Sequence, residues 1–193
     1  QHTHSMLYLL GQKEGTAALA TFTTAPVAVK LTGTLGADNK LTLKWDTTAN
    51  GGATVYDVYK NGSDTPIAPN VKNGEYVVTV DQAKAYDYYV VARTTDKDGK
   101  NSNHVTGTGN LLPVTSATIK FENGKAILTV TGNLPDYASF VVFKGETPIG
   151  NYQKDNMTVE LEGVTEADVD SHTITVKVTL GTTNSTPVEV KKA

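Results

Sequence analysis

The 193 residues include no cysteine, only two methionines and one tryptophan. Without cysteine there is no disulfide framework, no thiolate zinc site and no cysteine nucleophile. Such a chain suits a virion or a thiol-poor bacterial surface as well as the cytosol. Strong charge of one sign is missing too: a net charge of −3 lacks the basic footprint that duplex DNA or RNA binding needs. No apolar run reaches the length of a membrane span. A sustained helical period is also lacking, and VTEADV at 164–169 offers one turn at most. What the chain has is Thr and Val, together about 50 residues, the enrichment of a strand-rich protein.

Short alternating runs separated by Gly, Asn and Asp clusters fill the chain from about residue 26 onward. In LTLKWD, Leu41, Leu43 and Trp45 alternate with Thr42 and Lys44, the period-2 pattern of a strand buried on one face. In AYDYYVVAR, Tyr86, Tyr88, Val90 and Ala92 share one phase, and Asp87, Tyr89, Val91 and Arg93 the other. Turn signals at 36–39, 50–52, 61–63, 73–74 and 96–99 are spaced for short antiparallel strands.

The pattern repeats. VYKNGSDTPI at 58–67 is echoed by VFKGETPI at 142–149. Leu41, Leu43 and Trp45 then fall opposite Ala126, Leu128 and Val130, and Tyr86, Tyr88, Val90 and Ala92 opposite His172, Ile174, Val176 and Val178. Two homologous β units in tandem follow, joined within GTGNLLPVT at 107–115, where glycines and Pro113 punctuate the chain. The expected division is 1–25, 26–110 and 111–193.

The first unit resembles a fibronectin type III domain, within the wider immunoglobulin-like group. The residues that carry the likeness are Pro26, Leu41, Leu43, Trp45, Tyr56, Val58, Tyr86, Tyr88, Val90, Ala92, Gly99 and Ser102, and they span the whole unit. The resemblance implies an all-β chain of two tandem β-sandwiches. It also implies that Trp45 fills the first core and that Tyr86 is a corner tyrosine, ring buried and hydroxyl tied to nearby backbone. The second unit departs from the pattern, with Val130 in place of the tryptophan and His172 at the corner; its membership rests on the repeat.

Residues 1–25 carry two apolar runs around GQKEG and read as a β-hairpin, the last two strands of an upstream domain. Because an isolated hairpin is marginal in water, Met6, Tyr8, Leu10, Leu19 and Phe22 then pack on the first unit or form an assembly arm on another molecule; a disordered chain terminus is the plainer alternative. The start at Gln1, with no export signal pattern after it, reads as a cut within a longer chain.

Catalytic spacings are missing. There is no G-x-S-x-G, H-E-x-x-H or phosphate-binding loop, and the glycines of GTGNLL at 107–112 serve better as a linker. No catalytic residue, metal ligand or cofactor is assigned, and the chain is read as not an enzyme. In TTDKDGKN at 94–101, Asp96, Asp98 and Asn101 offer oxygens to calcium, but Thr94 and Val105 occupy the first and last ligand places of a calcium loop, so a hairpin tip is expected. Glu160, Glu162, Glu166, Asp168 and Asp170 read as a solvated acidic face. His2 and His4 lack further ligands. Asn61, Asn156 and Asn184 lie in glycosylation sequons, relevant only in a host that glycosylates.

The candidate binding surface is aromatic. On neighbouring strands, Tyr59 and Tyr89 fall on the outward phase with Val91 and Arg93 beside them, a contact face for protein or glycan. An ordinary cross-strand aromatic pair is the plainer reading. The matching places in the second unit hold Phe143 and Thr175. From the resemblance, the expected role is a non-catalytic structural or adhesive module of a bacterial surface layer, fibre or phage virion. It would sit outside the cell or in the virion and act through protein assembly, without nucleic acid or membrane insertion. The alternative is a carbohydrate-binding or spacer region of a secreted polysaccharide-degrading enzyme.

Overall fold

The computed structural model describes residues 25–48 and 51–193. The arm residues Met6, Tyr8, Leu10, Leu19 and Phe22, like His2 and His4, lie outside them.

The first unit contains β1 (Thr32–Leu35), β2 (Lys40–Lys44), β3 (Val55–Lys60), β4 (Ala68–Val71), β5 (Glu75–Thr79), β6 (Ala85–Arg93), β7 (Asp98–Asn101) and β8 (Val105–Thr108). They form two sheets, β1-β2-β5 and β4-β3-β6-β7, with β8 also paired to β6. Alternation on β2 buries Leu41 and Leu43, with Trp45 just beyond, against Tyr56, Val58, Tyr88, Val90 and Ala92 of the facing sheet. Trp45 packs tilted on Tyr56, 5.7 Å between ring centroids.

The second unit contains β9 (Ser116–Glu122), β10 (Lys125–Thr131), β11 (Ser139–Lys144), β12 (Thr147–Gln153), β13 (Thr158–Leu161), α1 (Glu166–Asp170), β14 (Ile174–Leu180), β15 (Thr183–Asn184), β16 (Val188–Glu189) and β17 (Lys191–Lys192). Its sheets are β13-β10-β9-β17 and β12-β11-β14-β15, with β16 on β14. Ala126, Leu128, Val130, Ile174, Val176 and Val178 are buried in its core with Phe140 and Ile119. The single helical turn exists because Thr165 caps it: its side chain accepts from the Asp168 N–H while the Asp168 carboxylate accepts from the Thr165 N–H, a reciprocal capping box.

Two corner expectations are corrected. Tyr86 is half-buried, and its hydroxyl lies over Gly107 on the paired strand, where a Cβ would collide with the ring. The tyrosine packs at the edge of the first core and covers a glycine gap, half-buried instead of buried, and Tyr88 is the buried ring. His172 does not join the inward phase of β14. It precedes the strand in left-handed backbone (φ 64°), is exposed, and its Nδ1 lies 2.6 Å from Glu189.

The joint between the units is tightly bonded. Asn39 is 1% exposed, and its amide makes two bonds to the Asn110 backbone: Nδ2 donates to the carbonyl at 2.8 Å, and the Asn110 N–H donates to Oδ1 at 2.7 Å. The Gln82 amide bridges across, accepting from the Leu112 N–H at 2.9 Å and donating to the Asn133 carbonyl at 2.8 Å. Ala83, from the first unit, packs on the core of the second.

Candidate functional site

The site forms on the outer face of the β4-β3-β6-β7 sheet. Because β3 and β6 pair antiparallel with Tyr59 opposite Tyr89, residues one step from the buried Val58 and Val90 must point away from the core. The two rings stack nearly parallel, with centroids 5.2 Å apart and planes 4° apart. On β8 the pairing Tyr88↔Val105 brings His104 beside Tyr89, at 4.9 Å and 24°. Three rings therefore run in a row across β3, β6 and the residue that leads into β8, and His104 Nδ1 lies 2.6 Å from the Asp87 carboxylate.

Next to this row is an ion pair. Arg93 Nε donates to Asp57 Oδ2 at 2.9 Å, and the Asn70 N–H donates to Asp57 Oδ1 at 2.9 Å. Arg93 also bonds the Asn70 side-chain oxygen. Asp57 is mostly covered, so its pairing with Arg93 and the Asn70 amide offsets the loss of water. The bond to Asp57 raises the Arg93 guanidinium above its ordinary value. Burial, then the Asp57 charge, raises the Tyr59 hydroxyl above its ordinary value, so the phenol stays neutral and can both donate and accept at physiological pH.

Of the four residues expected here, Tyr59, Tyr89 and Arg93 meet on one half-buried face. Val91 is only 9% exposed and belongs to the support of the face, not to its accessible surface. Sequence reasoning missed His104, Asn70 and the covered state of Asp57. His104 reaches the row through the β6–β8 register, which no local pattern announces. In the second unit Phe143 pairs with Thr175, and the Lys177 ammonium sits 5.2 Å over the Phe143 ring, so the three-ring row is confined to the first unit.

The other candidates resolve into structure. Thr94 N–H bonds the Lys97 carbonyl at 2.8 Å, closing the turn ahead of β7. Among the described residues no group of three or more His, Asp or Glu side chains is placed to hold a metal ion. Most of the acidic face of the second unit is paired with lysines: Asp168 with Lys144 at 3.2 Å, Asp170 and Glu166 with Lys192 at 2.9 and 3.5 Å, and Glu160 with Lys125 at 3.9 Å. Among the described residues no helix is long and apolar enough to cross a membrane.

No protein-family model matches the chain, and no curated protein does. Solved structures do. A two-domain fibronectin type III segment of chicken tenascin is 13% identical, with 86% of this chain and 97% of that one covered at a TM-score of 0.55. The alpha chain of the chicken interferon gamma receptor is 11% identical, with 87% and 96% covered at a TM-score of 0.47. The tenascin likeness carries the fold. The described residues form an all-β tandem of sandwiches similar to fibronectin type III domains.

Proposed function

We propose that this chain is a non-catalytic structural module, with sandwich units at 26–110 and 111–193, that works through protein–protein assembly outside the cell or in a virion. The observation that supports the reading is the Tyr59–Tyr89–His104 row on an outer sheet face, flanked by Arg93 and Asp57. Flat aromatic side chains bring large contact area at low entropic cost, and an arginine already held by a carboxylate is pre-organised at the margin; both are features of interface anchors. Stacked tyrosines need not serve a partner in order to persist, since a cross-strand pair stabilises a sheet by up to about 1 kcal/mol. The surplus is the third ring and the Asp57–Arg93 clamp beside it, whose carboxylate is covered.

Sedimentation velocity of the full chain over a wide concentration range tests the reading. Reversible association that weakens in Tyr89→Ala supports it. A monomer at every concentration, or association indifferent to that substitution, overturns it.

A further inference from the structure

The units meet at a groove of about 770 Å³, within the size range of small-molecule sites. Its lining includes Asp81, Gln82 and Lys84 of the first unit and Asn133, Asp136 and Tyr137 of the second; neither Tyr59 nor Tyr89 takes part. The joint described above fixes the groove, since Gln82 bonds both the connecting segment and the Asn133 carbonyl.

Tyr137 stands out among these residues. It is 93% exposed and has left-handed backbone, φ 68°, in a turn closed by the Ala138 N–H donating to the Pro135 carbonyl at 3.1 Å. That turn position favours glycine or asparagine, and a bulky residue there is strained. Among the described residues the Tyr137 ring makes no hydrogen bond or ring contact in return. Strain without structural compensation points to a ligand contact. In the same turn, Asp136 Oδ1 accepts from Lys154 Nζ at 2.7 Å.

Near it, the Asp81 carboxylate and the Lys84 ammonium form no hydrogen bond or ion pair among the described residues. The lining carries three carboxylates, Asp38, Asp81 and Asp136, and two ammoniums, Lys84 and Lys154, a near balance that favours neither an anion nor a cation. We propose that the groove binds a neutral oligosaccharide. The Tyr137 ring takes the apolar C–H face of one sugar, and Asp81 and Lys84 accept from and donate to its hydroxyls. A protein partner would need a wider apolar centre, whereas Tyr137 is the large apolar side chain left exposed on this lining.

The test is an NMR titration of the isotope-labelled full chain with neutral hexasaccharides of glucose, xylose, mannose and N-acetylglucosamine. Saturable shifts at the Gln82, Lys84 and Tyr137 amides are expected with at least one of them. Tyr137→Ala keeps the thermal midpoint but weakens binding about tenfold or more, Tyr137→Trp restores it, and Tyr89→Ala leaves it unchanged. The proposal is overturned if no hexasaccharide gives saturable shifts in the groove, if shifts appear on the Tyr59–Tyr89 face instead, if Tyr137→Ala binds normally, or if it unfolds the second unit, which would make the ring structural.

Discussion

The hydroxyl of Ser102 accepts from the Val90 N–H at 2.9 Å, and it donates in turn to the Asn103 carbonyl at 2.8 Å. The Ser102 N–H also donates to the Val90 carbonyl at 2.9 Å. The second unit repeats the arrangement bond for bond: Ser185 Oγ accepts from the Val178 N–H and donates to the Thr186 carbonyl, each at 2.9 Å, while its own N–H donates to the Val178 carbonyl at 2.8 Å. Both serines are buried. Each falls between two short strands that pair with the same long one, β7 and β8 on β6, β15 and β16 on β14. A side chain thus completes the ladder where the main chain leaves it.

Removing either hydroxyl orphans a buried N–H. Ser102→Ala is expected to cost about 1–3 kcal/mol. Denaturant unfolding followed by the fluorescence of Trp45, the single tryptophan, reports that loss for the first unit. Ser185→Ala should leave the tryptophan transition in place and lower the second unit's transition, read by NMR.

Trp45 belongs to the first core and packs tilted on Tyr56. Trp45→Ala is expected to cost about 3–5 kcal/mol and to unfold the first unit while the second keeps its own NMR dispersion. Collapse of both spectra together would show that the joint, not each core, sustains the chain.

The Gln82 amide ties the units together, so Gln82→Ala should loosen their orientation without unfolding either. NMR relaxation is expected to show shorter rotational correlation times for the variant. Identical times in variant and parent would assign the rigidity to the packing of Ala83 on the second core.

Thr165→Ala removes the helix cap and is expected to destabilise the second unit by about 1 kcal/mol. The Thr165 backbone N–H, then Lys144, holds the Asp168 carboxyl below its ordinary 3.8. A carboxyl with a depressed folded pKa contributes stability that is present above its unfolded value and lost as pH falls through the folded one. Acid titration should therefore erode the second unit's stability below about pH 4, and less steeply in Asp168→Asn.

Tyr89 stacks on both Tyr59 and His104. Tyr89→Ala is expected to cost about 1–3 kcal/mol, two aromatic contacts at about 0.5–1.5 each. A cost near zero, by denaturant unfolding, would show that the row contributes nothing to the sheet.

The strands and the two-fold repeat were readable because alternation is local: Leu41, Leu43, Val90, Ala92, Leu128 and Val176 each declare a face through neighbours two residues away. Ser102 was singled out by resemblance alone, and Ser185 escaped notice because its chain spacing to β14 differs from that of Ser102 to β6. Tyr86 keeps the alternating phase but stands near a strand end over a glycine partner, and His172 leaves the phase because it precedes β14 in a left-handed turn.

The residues by themselves determined an all-β chain with two cores, because burial on one face of a strand is written at period two. Tertiary structure alone decided what lies on the surface between and outside those cores. His104 joins Tyr89 only through strand register, Asn39 meets Asn110 across 71 positions of sequence, and the groove that holds Tyr137 exists only once Gln82 has bound the second unit. Those relations depend on which distant segments pair, and a hydrophobic pattern specifies a face but not its neighbour.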